Sequence, residues 1–89
     1  MKDEYVYFIP NDSHIVEYAK IVGKFGNKIV VERNIRGQQV NAFVNKVFKS
    51  KELAEVWRVV TMYKDGKREL IKVSPYYQKA LDTFPEEFI

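Results

Sequence analysis

Short runs of β-branched and aromatic residues alternate with turn signals along most of this chain, and this alternation limits what it can fold into. The turn signals are Gly26-Asn27, Arg36-Gly37 and Asp65-Gly66. Residues of these types suit a pleated surface, and glycine tolerates the positive φ that tight hairpin turns require. The pattern predicts a meander of short antiparallel strands.

Three segments in the first half of the chain are predicted to be strands. Residues 5–9 form the first, which Pro10 ends because proline cannot donate to a ladder, and residues 11–13 form a turn. Residues 14–23 also fit a helical stripe, but their composition and the turn that follows favour a strand. Residues 28–35 form the next strand.

Residues 38–49 remain open between helix and strand. The apolar residues with the spacing of an amphipathic helix are Val40, Phe43, Val44, Val47 and Phe48. Valine, phenylalanine and asparagine are poor helix formers, however, so a third strand is the alternative.

A hairpin is predicted over residues 56–73, because Asp65-Gly66 lies between two runs rich in strand-forming residues. A three-residue loop with Gly66 at positive φ pairs Val59 with Ile71 and gathers the large apolar side chains on one face. Trp57 then lies in the core.

Two helices are predicted beside this hairpin. Ser50 caps a short one over residues 51–54, because its hydroxyl can accept a backbone N–H. Ser74 and Pro75 begin the other, since proline is favoured at the first helical position, and Pro85 ends it.

The spacing of these elements over residues 14–48 resembles that of small β-barrels of the SH3, Tudor or KOW kind. The resemblance implies an α+β fold, a small antiparallel meander or barrel with a C-terminal helix. The alternative is an α+β sheet with an additional helix at about 38–49. Such barrels bind RNA, DNA, peptides or proteins, so the resemblance does not select a function.

The chain has 89 residues, of which 46% are apolar, enough for a single domain over residues 1–89 with its own core. It has no cysteine, and its one histidine, His14, is expected in solvent at a turn. We expect no enzymatic activity, no cofactor and no metal. No run is long and apolar enough for a signal peptide or a membrane span, so we expect a cytoplasmic protein without a membrane partner.

Basic residues are concentrated in the middle of the chain, where residues 18–51 hold eight lysines and arginines but one acid, Glu32. Several cations on one surface favour binding of DNA or RNA, and Phe25 would stack on an unpaired base. The candidate nucleic-acid-binding residues are Lys20, Lys24, Phe25, Lys28, Arg33, Arg36, Lys46 and Lys49. The competing interpretation is that these charges serve only solubility.

The alternative function is a small protein-binding adaptor or inhibitor of the phage or mobile-element type, acting on a host protein through an acidic surface of that protein. The acidic and apolar residues 84–89 resemble the partner-docking tails of bacterial single-stranded-DNA-binding proteins. The resemblance implies that Phe88 and Ile89 bind a protein. A homo-oligomer is a third hypothesis.

Overall fold

The computed structural model describes residues 3–11 and 13–89, so Asp12 of the predicted turn at 11–13 lies outside it. In this part of the chain, a four-stranded antiparallel sheet with the order β1-β2-β3-β4 precedes three α-helices and a 3₁₀ helix. The strands are β1 (Tyr5–Phe8), β2 (Glu17–Phe25), β3 (Lys28–Ile35) and β4 (Gln38–Val44). The helices are α1 (Lys51–Lys64), α2 (Arg68–Lys72), α3 (Tyr77–Thr83) and the 3₁₀ helix Pro85–Phe88. The predicted α+β class and antiparallel meander are confirmed.

Both predicted turns between the central strands are present. Gly26 has a φ of 59° at the first central position of the β2–β3 turn, as a type II′ turn requires. Arg36 and Gly37 have φ values of 53° and 80°, so both central positions of the β3–β4 turn are positive, as in type I′. Since two-residue turns of these types match the twist of the strands, they set the register of β3 with β4 and of β3 with the adjacent end of β2. A bulge between Ile21 and Gly23 then shifts the register of β2 by one residue, so that Lys20 and Gly23 lie on the same face.

The sheet is strongly bent. Val44, at the end of β4, pairs with Ile29, whereas Phe48 makes an isolated bridge with Tyr7 of β1 through backbone hydrogen bonds of 2.7 and 2.8 Å. The observed registers would place Val44 and Phe48 about 25 Å apart in a flat sheet. Only three residues separate them, and these four Cα-to-Cα steps span at most about 14 Å, so β1 and β4 must curve towards each other. One bridged pair does not make a closed barrel, and the SH3-like fold stays a prediction.

Two apolar cores result, one within the bent sheet and one among the helices. The buried residues of the sheet core are Val6, Phe8, Ala19, Val31 and Val44. The buried residues of the helical core are Val56, Val59, Val60, Met62, Ile71 and Ala80. Full burial of each larger aliphatic or aromatic side chain contributes roughly 1.5–3 kcal/mol, so both cores support the fold.

Residues 56–73 do not form the predicted hairpin; residues 56–64 belong to α1 and residues 68–72 to α2. Gly66 does have a positive φ, 82°, but it ends a helix. Its N–H donates to the Tyr63 carbonyl at 3.0 Å and that of Lys67 to the Met62 carbonyl at 2.9 Å, the two bonds of a Schellman motif. Asp-Gly satisfies either geometry, and burial of the valines against α2 and α3 overrides their low helix propensity.

The termini of the helices agree partly with prediction. Ser50 caps α1, since its hydroxyl accepts the Leu53 N–H at 3.3 Å, but the helix continues far beyond the predicted residue 54. The predicted C-terminal helix exists, yet α3 follows Tyr76 rather than Ser74, whose hydroxyl accepts the Tyr76 N–H at 3.2 Å. Pro85 follows α3 and begins the 3₁₀ helix.

Residues 38–44 form β4, so the alternative of a helix over 38–49 is wrong. The type I′ turn before this segment directs it back along β3, where its backbone pairs over the whole strand. No helix in the described ranges is long and apolar enough to cross a membrane.

His14 links the sheet to α1 and is half-buried, so the prediction of a solvent-exposed turn histidine is wrong. Its Nε2 lies 2.7 Å from a carboxylate oxygen of Asp65, and its Nδ1 lies 3.3 Å from Oγ1 of Thr61. The Arg58 Nε donates to the His14 carbonyl. These polar contacts fix the segment before β2 against the helical part.

Candidate nucleic-acid interface

The sheet has a buried concave face and an outward-facing convex face, which we call the outer face. Because side chains alternate along a strand and directly opposite residues share a face, the registers assign the outer-face residues. They are Tyr5, Tyr7, Tyr18, Lys20, Gly23, Phe25, Lys28, Val30, Glu32, Asn34, Gln39, Asn41 and Phe43. This face carries large aromatic rings at both of its ends.

Phe25, Lys28 and Phe43 form a group, here called the tip cluster, at the β2–β3 turn. The two rings are 65% and 60% exposed, and their centroids lie 6.3 Å apart in an edge-on arrangement. The Lys28 ammonium lies 6.0 Å from the centre of the Phe43 ring. Exposed aromatic rings beside a cation provide stacking surfaces with a positive charge at their edge.

Gly23 and Val30 support this cluster from below. A Cβ at position 23 would lie 3.3 Å from the Phe25 ring, so glycine allows the ring to lie close against the strand. Val30 is buried on the same face, opposite Phe43 and Gly23 in the sheet. The rings therefore rest on paired strands, next to the bulge between Ile21 and Gly23, rather than on a loop.

Three tyrosines occupy the other end of the outer face. The rings of Tyr5 and Tyr18 are stacked with centroids 5.3 Å apart and an interplanar angle of 17°. Tyr7 also packs against Tyr18, with ring centroids 4.7 Å apart and an interplanar angle of 45°. Tyr18 remains 60% exposed, so its ring is accessible to solvent while Tyr5 and Tyr7 hold it in place.

Lys24 and Lys28 both lie at the end of the β2–β3 hairpin, on opposite faces of it. Both are exposed, and no carboxylate of the described residues lies within 4.0 Å of either ammonium group. Arg36 is also exposed, at the β3–β4 turn, which is the opposite end of β3. Cations thus lie near both aromatic ends of the outer face.

Two other candidate cations are bound by carboxylates. Lys20 lies 4.0 Å from Asp3 and 3.8 Å from Glu32. Arg33 makes a bidentate contact with Glu17, at 3.0 Å from Nε and 2.7 Å from Nη2, and its side chain is 11% exposed on the concave face. The Arg33 guanidinium also lies 5.9 Å from the Phe8 ring. Arg33 therefore stabilises the sheet core.

The last two candidate cations lie in the segment between β4 and α1. Lys46 is placed over three rings, 4.1 Å from Trp57, 5.3 Å from Phe84 and 5.9 Å from Phe48, a group here called the Lys46 cluster. Lys49 lies 3.9 Å from Glu4. Trp57, predicted as a core residue, is half-buried against the helical core.

The eight candidate residues therefore do not form one patch. The structure brings together Lys24, Phe25 and Lys28 at the tip and places the other five elsewhere. Of the two predicted protein-binding residues, Phe88 packs on Tyr63 and Tyr77, while Ile89 is fully exposed.

Three exposed aromatics of the outer face were not among the predicted site residues: Phe43, Tyr5 and Tyr18. The helical interpretation of residues 38–49 assigned Phe43 to an apolar stripe. The alternative of a strand at residues 38–49 would have identified Phe43, because side chains two residues apart in a strand share a face. This alternation places Phe43 on the same face as the polar Gln39 and Asn41. An aromatic residue on an otherwise polar strand face is a candidate for binding.

Among the described residues, no group of three or more histidine, cysteine or acidic side chains is placed to hold a metal ion. Comparison of the chain with protein-family models, curated proteins and solved structures finds no match.

Proposed function

We propose that this protein binds single-stranded DNA or RNA along the outer face of its sheet. Bases stack on the rings of the tip cluster and on Tyr18, while Lys28 on this face and Lys24, at the end of the hairpin on the opposite face, contact phosphates where the strand passes the tip. The observation that carries the proposal is the exposed Phe25–Phe43 pair beside Lys28, a cation without a carboxylate partner among the described residues.

Stacking provides the larger share of the binding free energy in this arrangement. Each base stacked on an aromatic ring contributes about 1–3 kcal/mol, and the stacking tolerates any sequence because every base has a π-face. In a duplex, the faces of each base are covered by the neighbouring base pairs, so the aromatic rings of the protein could not stack on them. The arrangement favours single strands for this reason.

The electrostatic share is small, because only two cations at the tip lack a carboxylate partner in the part of the chain that the structure describes. Two phosphate contacts to a single strand give a log–log salt slope of about −1.4. The protein thus differs from a highly basic duplex binder, whose affinity depends mainly on many phosphate contacts. Cytoplasmic residence and an SH3-like barrel remain part of the proposal, but the binding argument does not depend on them.

Fluorescence anisotropy with labelled 12-nucleotide single strands of DNA and RNA, and with the matching duplex, tests this function. We expect saturable binding of single strands and weaker binding of the duplex. The double variant F25A/F43A should lower single-strand affinity at least about 30-fold, because two stacked bases are lost. The variant F25Y keeps the ring and serves as the matched control, with affinity within about threefold of the parent protein.

Two results would overturn the proposal: no binding of any single strand, or binding that F25A/F43A leaves unchanged. A stoichiometric protein that co-purifies after nuclease treatment, together with no oligonucleotide binding, would instead favour the adaptor or inhibitor hypothesis. In that case Ile89, which is fully exposed, is the first residue to truncate.

A further inference from the structure

A cleft of about 180 Å³ opens on the outer face near the β3–β4 turn. The pairing of β2 with β3 ends at Lys20 and Glu32. Beyond this point Tyr18 of β2 pairs only with Tyr7 of β1. The side chains that line the cleft on the outer face are Tyr5, Tyr18, Lys20, Glu32, Asn34 and Gln39. Part of the space between the ends of β2 and β3 is therefore open to a ligand.

The chemistry of this cleft suits one exposed nucleobase. Tyr18 provides a ring that Tyr5 and Tyr7 hold in place. Asn34 and Gln39 lie directly opposite each other across β3 and β4, and both are exposed. Each carboxamide presents one donor group and one acceptor, which matches the N6 amino group and N7 of adenine.

Charge in the cleft is compatible with a nucleic acid. The Glu32 carboxylate lies 3.8 Å from the Lys20 ammonium, which offsets its repulsion of phosphate. Glu32 is also an acceptor for an exocyclic amino group, which thymine and uracil lack. Arg36, exposed at the adjacent turn, adds a cation at this end.

We infer that this cleft is a base-reading subsite that prefers adenine, in which the base stacks on Tyr18 and the amides of Asn34 and Gln39 contact its edge. The inference rests on the proposed single-strand binding and names a sequence preference within it. Tyr18 and Phe25 lie about 20 Å apart along β2, so one strand of more than about four nucleotides reaches both aromatic ends.

The test compares a labelled dT12 strand with the same strand carrying two adjacent adenines at its centre, and repeats the pair with uridine and adenosine in RNA. We expect the adenine-containing strands to bind at least about fivefold more tightly. The double variant N34A/Q39A should remove this preference while leaving dT12 affinity within about twofold. N41A is the matched control, because Asn41 is an exposed amide on the same face outside the cleft, and it should retain the preference.

Thermal melts monitored by circular dichroism confirm that each variant is folded. Equal affinity for the strands with and without adenine overturns the inference but leaves single-strand binding intact, provided that F25A/F43A still abolishes it. A preference that survives N34A/Q39A, or that N41A removes equally, also contradicts the assignment of these two amides. If no single strand binds at all, both the inference and the proposed function are wrong.

Discussion

The tip cluster and the Lys46 cluster contain the same kinds of residues, yet the fold makes them different. In the tip cluster, Phe25 and Phe43 extend from a sheet face into solvent, and Lys28 lies at the ring edge. In the Lys46 cluster, the rings pack on each other and on the helical core, and the lysine lies over them. A basic and aromatic composition therefore indicates binding only where the rings remain open and the cations lack partners.

The largest expected contrast is between stability and binding in the two clusters. Trp57→Ala should lower the free energy of unfolding by about 2–4 kcal/mol, because it removes a half-buried ring that packs on Phe48 and Phe84. Single-strand affinity of the folded protein should remain unchanged. F25A/F43A should show the opposite pattern, with stability within about 1 kcal/mol of the parent and a large loss of affinity. Urea denaturation and anisotropy measure the two quantities.

A second prediction concerns Arg33, a candidate binding residue that the fold uses in its core. Arg33→Ala should lower the free energy of unfolding by about 1–3 kcal/mol, because Glu17 loses its charged hydrogen-bond partner in a partly buried site. Urea denaturation checks this value. Oligonucleotide affinity, measured under conditions in which the variant is folded, should not change. A loss of affinity without a loss of stability would show that Arg33 binds the oligonucleotide.

A third prediction separates Lys24 and Lys28, which have no carboxylate partner among the described residues, from a lysine that has one. K24E/K28E should weaken single-strand binding at least about tenfold and bring the salt slope from about −1.4 to near zero, since the phosphate contacts are lost. Lys49→Glu changes the charge of a lysine that lies beside Glu4, and it serves as the control. An equal loss of affinity per reversed lysine in the two variants would show that only overall charge matters, which would remove the distinction between the clusters.

The smallest expected effect is at the contact between the sheet and α1. Asp65→Asn should lower the free energy of unfolding by at most about 1 kcal/mol, because the contact between Asp65 and His14 is largely exposed and an amide keeps part of it. Single-strand affinity should be unaffected. Urea denaturation measures the first quantity, and a change in affinity would mean that the outer face depends on how the helices are placed.

The sheet was predictable because its signals are local. Strand-forming runs and two-residue turns specify the hairpins at Gly26 and Gly37, where positive φ is required. The Ser50 cap and the C-terminal helix were also predictable, but most of α1 and all of α2 were not, because Gly66 serves a helix end as well as it serves a hairpin, and valine-rich α1 is stabilised by contacts distant in sequence. The ambiguity at residues 38–49 had the same origin, since its apolar spacing fits both structures.

The site was predictable to the extent that neighbouring residues define it. Lys24, Phe25 and Lys28 share one turn, so sequence proximity places them together. Phe43 and Tyr18 join the face only through the register of β2, β3 and β4, while Lys20, Arg33 and Lys49 face acids from other segments. Pairings of that kind depend on the tertiary fold, which charge counting along the chain does not include.

The most direct test of the central claim is an NMR titration of the protein with an unlabelled 12-nucleotide single strand, following backbone amide and aromatic ring signals. The account predicts that the ring signals of Phe25, Phe43 and Tyr18 shift together with the amides of the β2–β3 turn. The chemical shifts of Trp57 and Phe84 should not change. Shifts centred on the Lys46 cluster or on the helices, with the tip rings unmoved at saturation, would contradict the account.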